Sequence, residues 1–119
     1  MKIAITAKGP GCNDPVDPRF GRAAYILIIE SDTMAVEALD NSSNVNAFKG
    51  AGIQAASMIH KHGAQVLLTG YCGPKAFQTL EAAGIKVVSD VSGTVTEAIK
   101  TFLAGNLKYT TAANAEAHW

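Results

Sequence analysis

One unbroken apolar run, Ala24-Tyr-Ile-Leu-Ile-Ile29, constrains the fold more than any other feature of the chain. Its side chains do not alternate between apolar and polar, so neither face of a strand built from them can be left in water. Such a strand belongs inside a sheet that is covered on both sides. Ile3-Ala-Ile-Thr-Ala7, Val66-Leu-Leu68 and Ile85-Lys-Val-Val88 read as further short strands of the same kind. Ser31-Asp-Thr33 supplies a turn after the long run, and Met34 to Leu39 is strand-like, so that pair reads as an antiparallel hairpin.

The intervening segments have helical spacing. From Phe48 onward, Ala51, Gly52, Ala55, Ala56 and Ile59 share one face, and Gly63 is a natural stop. Pro74 suits the first position of a second helix, packed by Phe77, Leu80 and alanines and ended by Gly84. Thr94 and Glu97 have capping-box spacing. Val95, Ala98, Ile99, Phe102 and Leu103 then form an apolar stripe, closed by Gly105. The order is β-β-β-α-β-α-β-α. Helical crossovers make the strands at 66 and 85 parallel, while the hairpin runs antiparallel. The expected fold is α/β: a mixed five-stranded sheet with helices on its faces.

A chain of 119 residues suits one domain, large enough to be stable without a disulfide or structural metal. We place that domain at 1–105 and read the polar, alanine-rich residues 106–119 as a loosely held tail. The formal net charge is zero, which argues against charge-driven binding to nucleic acid or an acidic membrane. Neither a signal peptide nor an apolar stretch of about 18 residues is present, so a cytoplasmic protein with two free thiols is expected.

Residues 8–22 hold Pro10, Pro15 and Pro18 with Gly9, Gly11 and Gly21 and form a long loop of the kind that often carries function. In a sheet of this type ligands bind beyond the carboxyl ends of the parallel strands. That rim collects loop 8–22, the turns 70–75 and 89–94, and the start of the first helix near Asn44 to Lys49. Three helix N-termini there favour an anion, and Arg19, Arg22, Lys49 and Lys75 add positive charge. Cys12 and Cys72 fall on the same rim. A thiolate suits copper, zinc or iron–sulfur species, although a lone cysteine is often only a small buried side chain. No C-x-x-C pair supports a closed zinc site.

Other residues point away from chemistry. His60 and His62 end a helix, where positive charge is mildly stabilising. His118 and Trp119 lie in the tail without an assignable role. Asp14 and Asp17 flank prolines and suit turns that bond the nearby backbone, and Asp90 suits a turn or helix start. There is no dinucleotide fingerprint and no phosphate-binding loop. The first strand and residues 64–69 carry no acid, which disfavours a two-magnesium nuclease.

Asp17-Pro-Arg-Phe-Gly-Arg-Ala23 resembles the FGR-type motif of the dinitrogenase iron–molybdenum cofactor biosynthesis family. Gly70-Tyr-Cys-Gly-Pro-Lys-Ala-Phe77, with Leu80 and Gly84-Ile-Lys-Val87 behind it, resembles the second motif of that family. The resemblance extends to about residue 105. It implies a ribonuclease-H-like three-layer fold and a binding protein rather than an enzyme. Short stand-alone members from sulfate-reducing bacteria hold a molybdenum–copper–sulfide cluster without a conventional set of protein ligands. This chain is similar to them in length and in the 70–77 segment.

The resemblance thus implies a carrier, store or sensor of an anionic metal–sulfur cluster. Rim and motifs together give the candidate contacts Arg19, Phe20, Gly21, Arg22, Cys12, Cys72, Gly73, Pro74, Lys75, Gly93 and Thr94, with Cys72 as the candidate metal contact from its place on the rim and Cys12 as a secondary one. ATPases and cluster-assembly proteins are the implied partners. Nitrogenase-side members commonly have histidine where Arg19 stands. Arginine donates hydrogen bonds and charge but does not ligate, which favours electrostatic capture. The alternatives are a carrier of the iron–molybdenum cofactor itself and an interaction module with no metal.

Overall fold

The structure, a computed structural model, describes residues 1–42 and 50–111. Its strands are β1 (Lys2–Ala7), β2 (Tyr25–Glu30), β3 (Val36–Asp40), β4 (Val66–Leu68) and β5 (Lys86–Val88). The described helices are α1 (Ala51–Lys61), α2 (Pro74–Ala82) and α3 (Val95–Leu103). The strands form one mixed sheet in the order β3-β2-β1-β4-β5. β2 is antiparallel to both β1 and β3, while β1, β4 and β5 run parallel. The expected α/β architecture is therefore present.

The apolar run occupies β2, and its lack of alternation has the predicted cause. Ile26 and Ile28 join a core with Ala55, Ile59, Phe77 and Leu80, beneath α1 and α2. Leu27 and Ile29 join a second core with Val95, Ala98 and Ile99 of α3. Both faces of the strand are dry. On α1 the small residues Ala51, Ala55 and Ala56 are buried, which lets α1 and α2 approach closely. A Cβ at Gly52 would stand 2.8 Å from the Ala76 Cβ of α2.

Several boundaries differ from the sequence reading. β3 starts at Val36 rather than Met34, because Met34 has a left-handed backbone (φ 60°) and belongs to the turn. The proposed helix start at Phe48 lies outside the described residues, and α1 is described from Ala51. The α3 capping box is complete: Thr94 Oγ1 accepts from the Glu97 amide, and Glu97 Oε1 accepts from the Thr94 amide. Leu103, expected on the buried stripe, is 46% exposed, while Phe102 beside it packs against the core.

The beginning of the tail is tied down. The Thr110 amide donates to the Val87 carbonyl at 2.6 Å, and the Ser89 amide donates to the Thr110 hydroxyl at 2.8 Å. Tyr109 packs on Phe102 with ring centroids 6.3 Å apart. Residues 112–119, including His118 and Trp119, lie outside the described set. Among the described residues no helix is long and apolar enough to cross a membrane.

Candidate functional site

Loop 8–22 stitches the carboxyl edge of the sheet together. After β1 it folds back on itself, with Ala7 bridging Val16 and the Lys8 amide donating to the Pro15 carbonyl. Asp14 closes the tip by accepting the Gly11 amide at 2.8 Å. The same stretch then seals the start of α3. The Val95 amide donates to the Asp14 carbonyl, and the Thr96 amide and hydroxyl both donate to the Cys12 carbonyl. The Val16 amide donates to the Gly93 carbonyl.

The second half of the loop lies along the turn after β4. The Tyr71 amide donates to the Pro18 carbonyl at 2.5 Å, and the Phe20 amide donates to the Tyr71 carbonyl at 3.0 Å. Arg19 therefore bridges Tyr71 in parallel register. Glycine at position 70 is what permits this, because a Cβ there would stand 2.6 Å from both Cα and the carbonyl oxygen of Pro18. The two segments that carried the resemblance are one hydrogen-bonded unit in space.

Beneath the unit lies a buried polar network. Thr6 Oγ1 donates to the Asp17 carbonyl at 2.6 Å and lies 2.9 Å from Thr69 Oγ1. The Asp17 amide returns a bond to the Thr6 carbonyl, and Asp17 Oδ1 accepts the Arg19 amide at 3.1 Å. Buried Asn41 donates through Nδ2 to the carbonyls of Gly21 and Ala23. The sequence reading did not single out Thr6, Thr69 or Asn41. The available signal was hydroxyl residues ending two otherwise apolar strands, because a buried hydroxyl needs a partner.

Arg19 and Arg22 come together in a hollow of about 440 Å³, shared with Asp17, Tyr25, Asp40 and Ser42. The charges are mixed, but they are not equally presented. The Arg19 side chain is 52% exposed, whereas that of Asp17 is 7% exposed. Asp40 is held below the usual carboxylate range by the Ser42 amide, 2.8 Å from Oδ1, and by the Ser42 hydroxyl. Phe20 is buried, and Gly21 (φ 90°) packs so closely on Gly52 that a Cβ would come within 2.7 Å of its Cα.

Gly73 and Pro74 open α2 as expected, with Gly73 at the cap position and no side-chain cap. Lys75 is exposed on that first turn. This helix start lies two residues beyond Tyr71, which Arg19 bridges, but neither Cys72 nor Gly73, Pro74 or Lys75 lines the hollow that holds Arg19 and Arg22. The start of α3 is different. Gly93 and Thr94 stand at a terminus already filled by the capping box and by loop carbonyls. The Glu97 carboxylate, held low by the Thr94 amide, adds negative charge there. This corrects the expectation of three open helix starts, since the path of a loop is not visible in a spacing. Lys49 lies outside the described residues.

The cysteines are not brought together. Cys72 belongs to the core under α1 and α2, whereas Cys12 packs against the core under α3 on the other side of the sheet. Cys72 is 1% exposed, and burial pushes its thiol up to about 12. Its Sγ is 3.8 Å from the Gly73 carbonyl. At neutral pH it is a protonated core side chain, not a thiolate on the rim, which is the plainer of the two roles weighed from sequence. Among the described residues, no three of His, Cys, Asp and Glu are grouped to hold a metal ion. His62 sits at the end of α1, bonded through Nδ1 to the Met58 carbonyl and 3.9 Å from Glu37.

The chain is similar to three relatives, two of them with solved structures. The orange protein of Desulfovibrio gigas, solved in its apo form, is 51% identical and superposes with a TM-score of 0.94 over 96% of each chain. A candidate NifB protein of the DUF35 family from Thermotoga is 32% identical, with a TM-score of 0.83 over 96% of this chain and 97% of its own. An uncharacterised protein of Methanocaldococcus jannaschii is 32% identical over 111 residues, covering 91% of this chain and 90% of the relative. A profile described as dinitrogenase iron-molybdenum cofactor matches residues 1–105. The chain belongs to the dinitrogenase iron–molybdenum cofactor family.

Proposed function

We propose that this chain binds a preformed, anionic metal–sulfur cluster without covalent attachment and acts as its carrier, store or sensor. The observation that carries the reading is the pairing of Pro18–Phe20 with Tyr71, which brings Arg19 to the turn that leads into α2, whose start has no side-chain cap. A guanidinium and the amides of a helix start without a side-chain cap are donors; they suit an anion whose metals are already coordinated by their own sulfides. The donor set fits that guest better than a bare ion, because the described residues offer no grouped ligands and the Cys72 thiol is buried in the core. Arg19 supplies charge and directed hydrogen bonds, and Arg22 and Lys75 supply further charge.

The similarity to the orange protein favours a molybdenum–copper–sulfide cluster. The family description favours a second guest, the iron–molybdenum cofactor or a precursor of it. We assign binding and handing-over rather than turnover to the site. ATPases and cluster-assembly proteins are the proposed partners, and the cytoplasm is the proposed location. The strand order β3-β2-β1-β4-β5, with β2 antiparallel, supports reading the fold as ribonuclease-H-like.

The test mixes apo-protein with tetrathiomolybdate and copper(II), removes small molecules by gel filtration, and records the absorption spectrum with metal analysis. The reading predicts visible charge-transfer bands at a fixed metal-to-protein ratio. Colourless, metal-free protein contradicts it. Iron with molybdenum, and no copper, in protein purified from its host supports the second guest.

A further inference from the structure

Among the described residues, Asp17 is the only acidic side chain that is buried. It lies directly under the exposed Arg19. One carboxylate oxygen holds the arginine's backbone by a hydrogen bond and faces its side chain at ion-pair distance. Asp17 Oδ1 accepts the Arg19 backbone amide at 3.1 Å and lies 3.9 Å from the Arg19 Nε. The carboxylate itself stands on a fixed base. Its residue exchanges two hydrogen bonds with Thr6 of β1, and Thr6 is tied to Thr69 at the end of β4. Pro18, between Asp17 and Arg19, restricts the backbone further.

We propose that Asp17 is a positioning residue, whose buried carboxylate fixes Arg19 on the rim so that its guanidinium faces the anionic guest. The inference rests on the binding reading above and adds the device that makes Arg19 effective. A long side chain loses rotamer freedom when it grips a ligand, and restraint before binding removes part of that cost. The other charged groups of the hollow are Arg22 and Asp40. Charge alone predicts the opposite of positioning. A carboxylate beside an anion repels it, so removing Asp17 should tighten binding if charge were its only effect. Positioning predicts weaker binding.

The test has two arms. In the first, wild-type protein, Arg19→Ala, Asp17→Ala, Asp17→Asn and the Asp17→Ala/Arg19→Ala double variant are titrated with tetrathiomolybdate and copper(II). Wild type binds, and Arg19→Ala weakens binding about tenfold, the effect of losing one charged hydrogen-bond donor. Asp17→Ala weakens it comparably, and the double variant is no weaker than Arg19→Ala alone. Asp17→Asn falls between wild type and Asp17→Ala, since it keeps an acceptor for the Arg19 amide but loses the charge facing Nε at 3.9 Å. Asp17→Ala binding as tightly as wild type, or its loss persisting in full in the Arg19→Ala background, overturns the proposal.

The second arm reads apo-protein alone. The Arg19 Nε–H resonance should be shifted from the free-arginine envelope in wild type by the carboxylate facing it, and should collapse into that envelope in Asp17→Ala. If wild type takes up no cluster but this signature holds, the binding reading fails and the positioning stands. If wild type binds and the signature is identical in Asp17→Ala, the positioning fails and the binding reading stands.

Discussion

Replacing Gly70 by alanine should separate the two segments that build the site. The new methyl would stand 2.6 Å from Cα and the carbonyl oxygen of Pro18 and 2.8 Å from its Cβ. These are mostly backbone atoms, which cannot swing aside as a flexible side chain would. Overpacking of this kind costs about 1–3 kcal/mol. Moving the loop away also breaks the bonds from Tyr71 to Pro18 and from Phe20 to Tyr71, each worth about 1 kcal/mol. The sum is about 4 kcal/mol. For 119 residues the unfolding entropy is about 0.25 kcal/mol/K, so the thermal midpoint should fall by roughly 16 °C. Gly84→Ala is the control. It is strained by a left-handed backbone (φ 77°) but meets no atom within 4 Å, so it should cost about 1 kcal/mol and roughly 4 °C. Scanning calorimetry of the apo-proteins measures both. A Gly70→Ala midpoint no lower than that of Gly84→Ala would refute the seating of the loop on the turn.

Three further outcomes follow from particular residues. Cys72 is raised from 9.0 to about 12, so the folded state holds its proton more tightly than the unfolded chain. Its contribution to stability is full below about pH 9 and is lost as pH rises toward 12. At about pH 10, wild type should lose roughly 1.4 kcal/mol by urea titration that Cys72→Ala does not lose. Thr94→Ala removes the α3 cap and should cost about 1 kcal/mol while leaving cluster uptake unchanged, because that helix start is sealed by the loop. Thr110→Val removes the acceptor for the Ser89 amide, costs about 1 kcal/mol, and should speed hydrogen exchange at that amide.

What could be read in advance follows the range of the interactions. β4, the proline opening α2 and the Thr94–Glu97 box were all legible, because each is decided by residues within a few positions of one another. The apolar run announced a strand buried on both faces, and β2 is that strand. Cys72 was placed on the rim correctly along the chain but not in direction. Its turn aims the thiol inward, and the sheet then stands between it and Cys12. The sealing of α3 by the carbonyls of Cys12 and Asp14 joins residues more than eighty positions apart, and no local pattern reports it. The anchoring of Thr110 on Val87 was hidden in the same way. Asp17 was read as a turn residue, and it is one, since its oxygen accepts the amide two residues ahead. Its hold on the arginine side chain depended on burial, which only the fold supplies.

The central claim is that a guanidinium on a rigid rim holds the guest, and that the cysteine in the neighbouring turn does not. Wild type, Arg19→Gln and Cys72→Ala titrated side by side with tetrathiomolybdate and copper(II) at two salt concentrations test it most directly. Cys72→Ala should keep the wild-type spectrum and affinity, while Arg19→Gln should bind about tenfold more weakly and respond less to salt. A Cys72→Ala protein that no longer colours, beside an Arg19→Gln protein that does, would contradict the account.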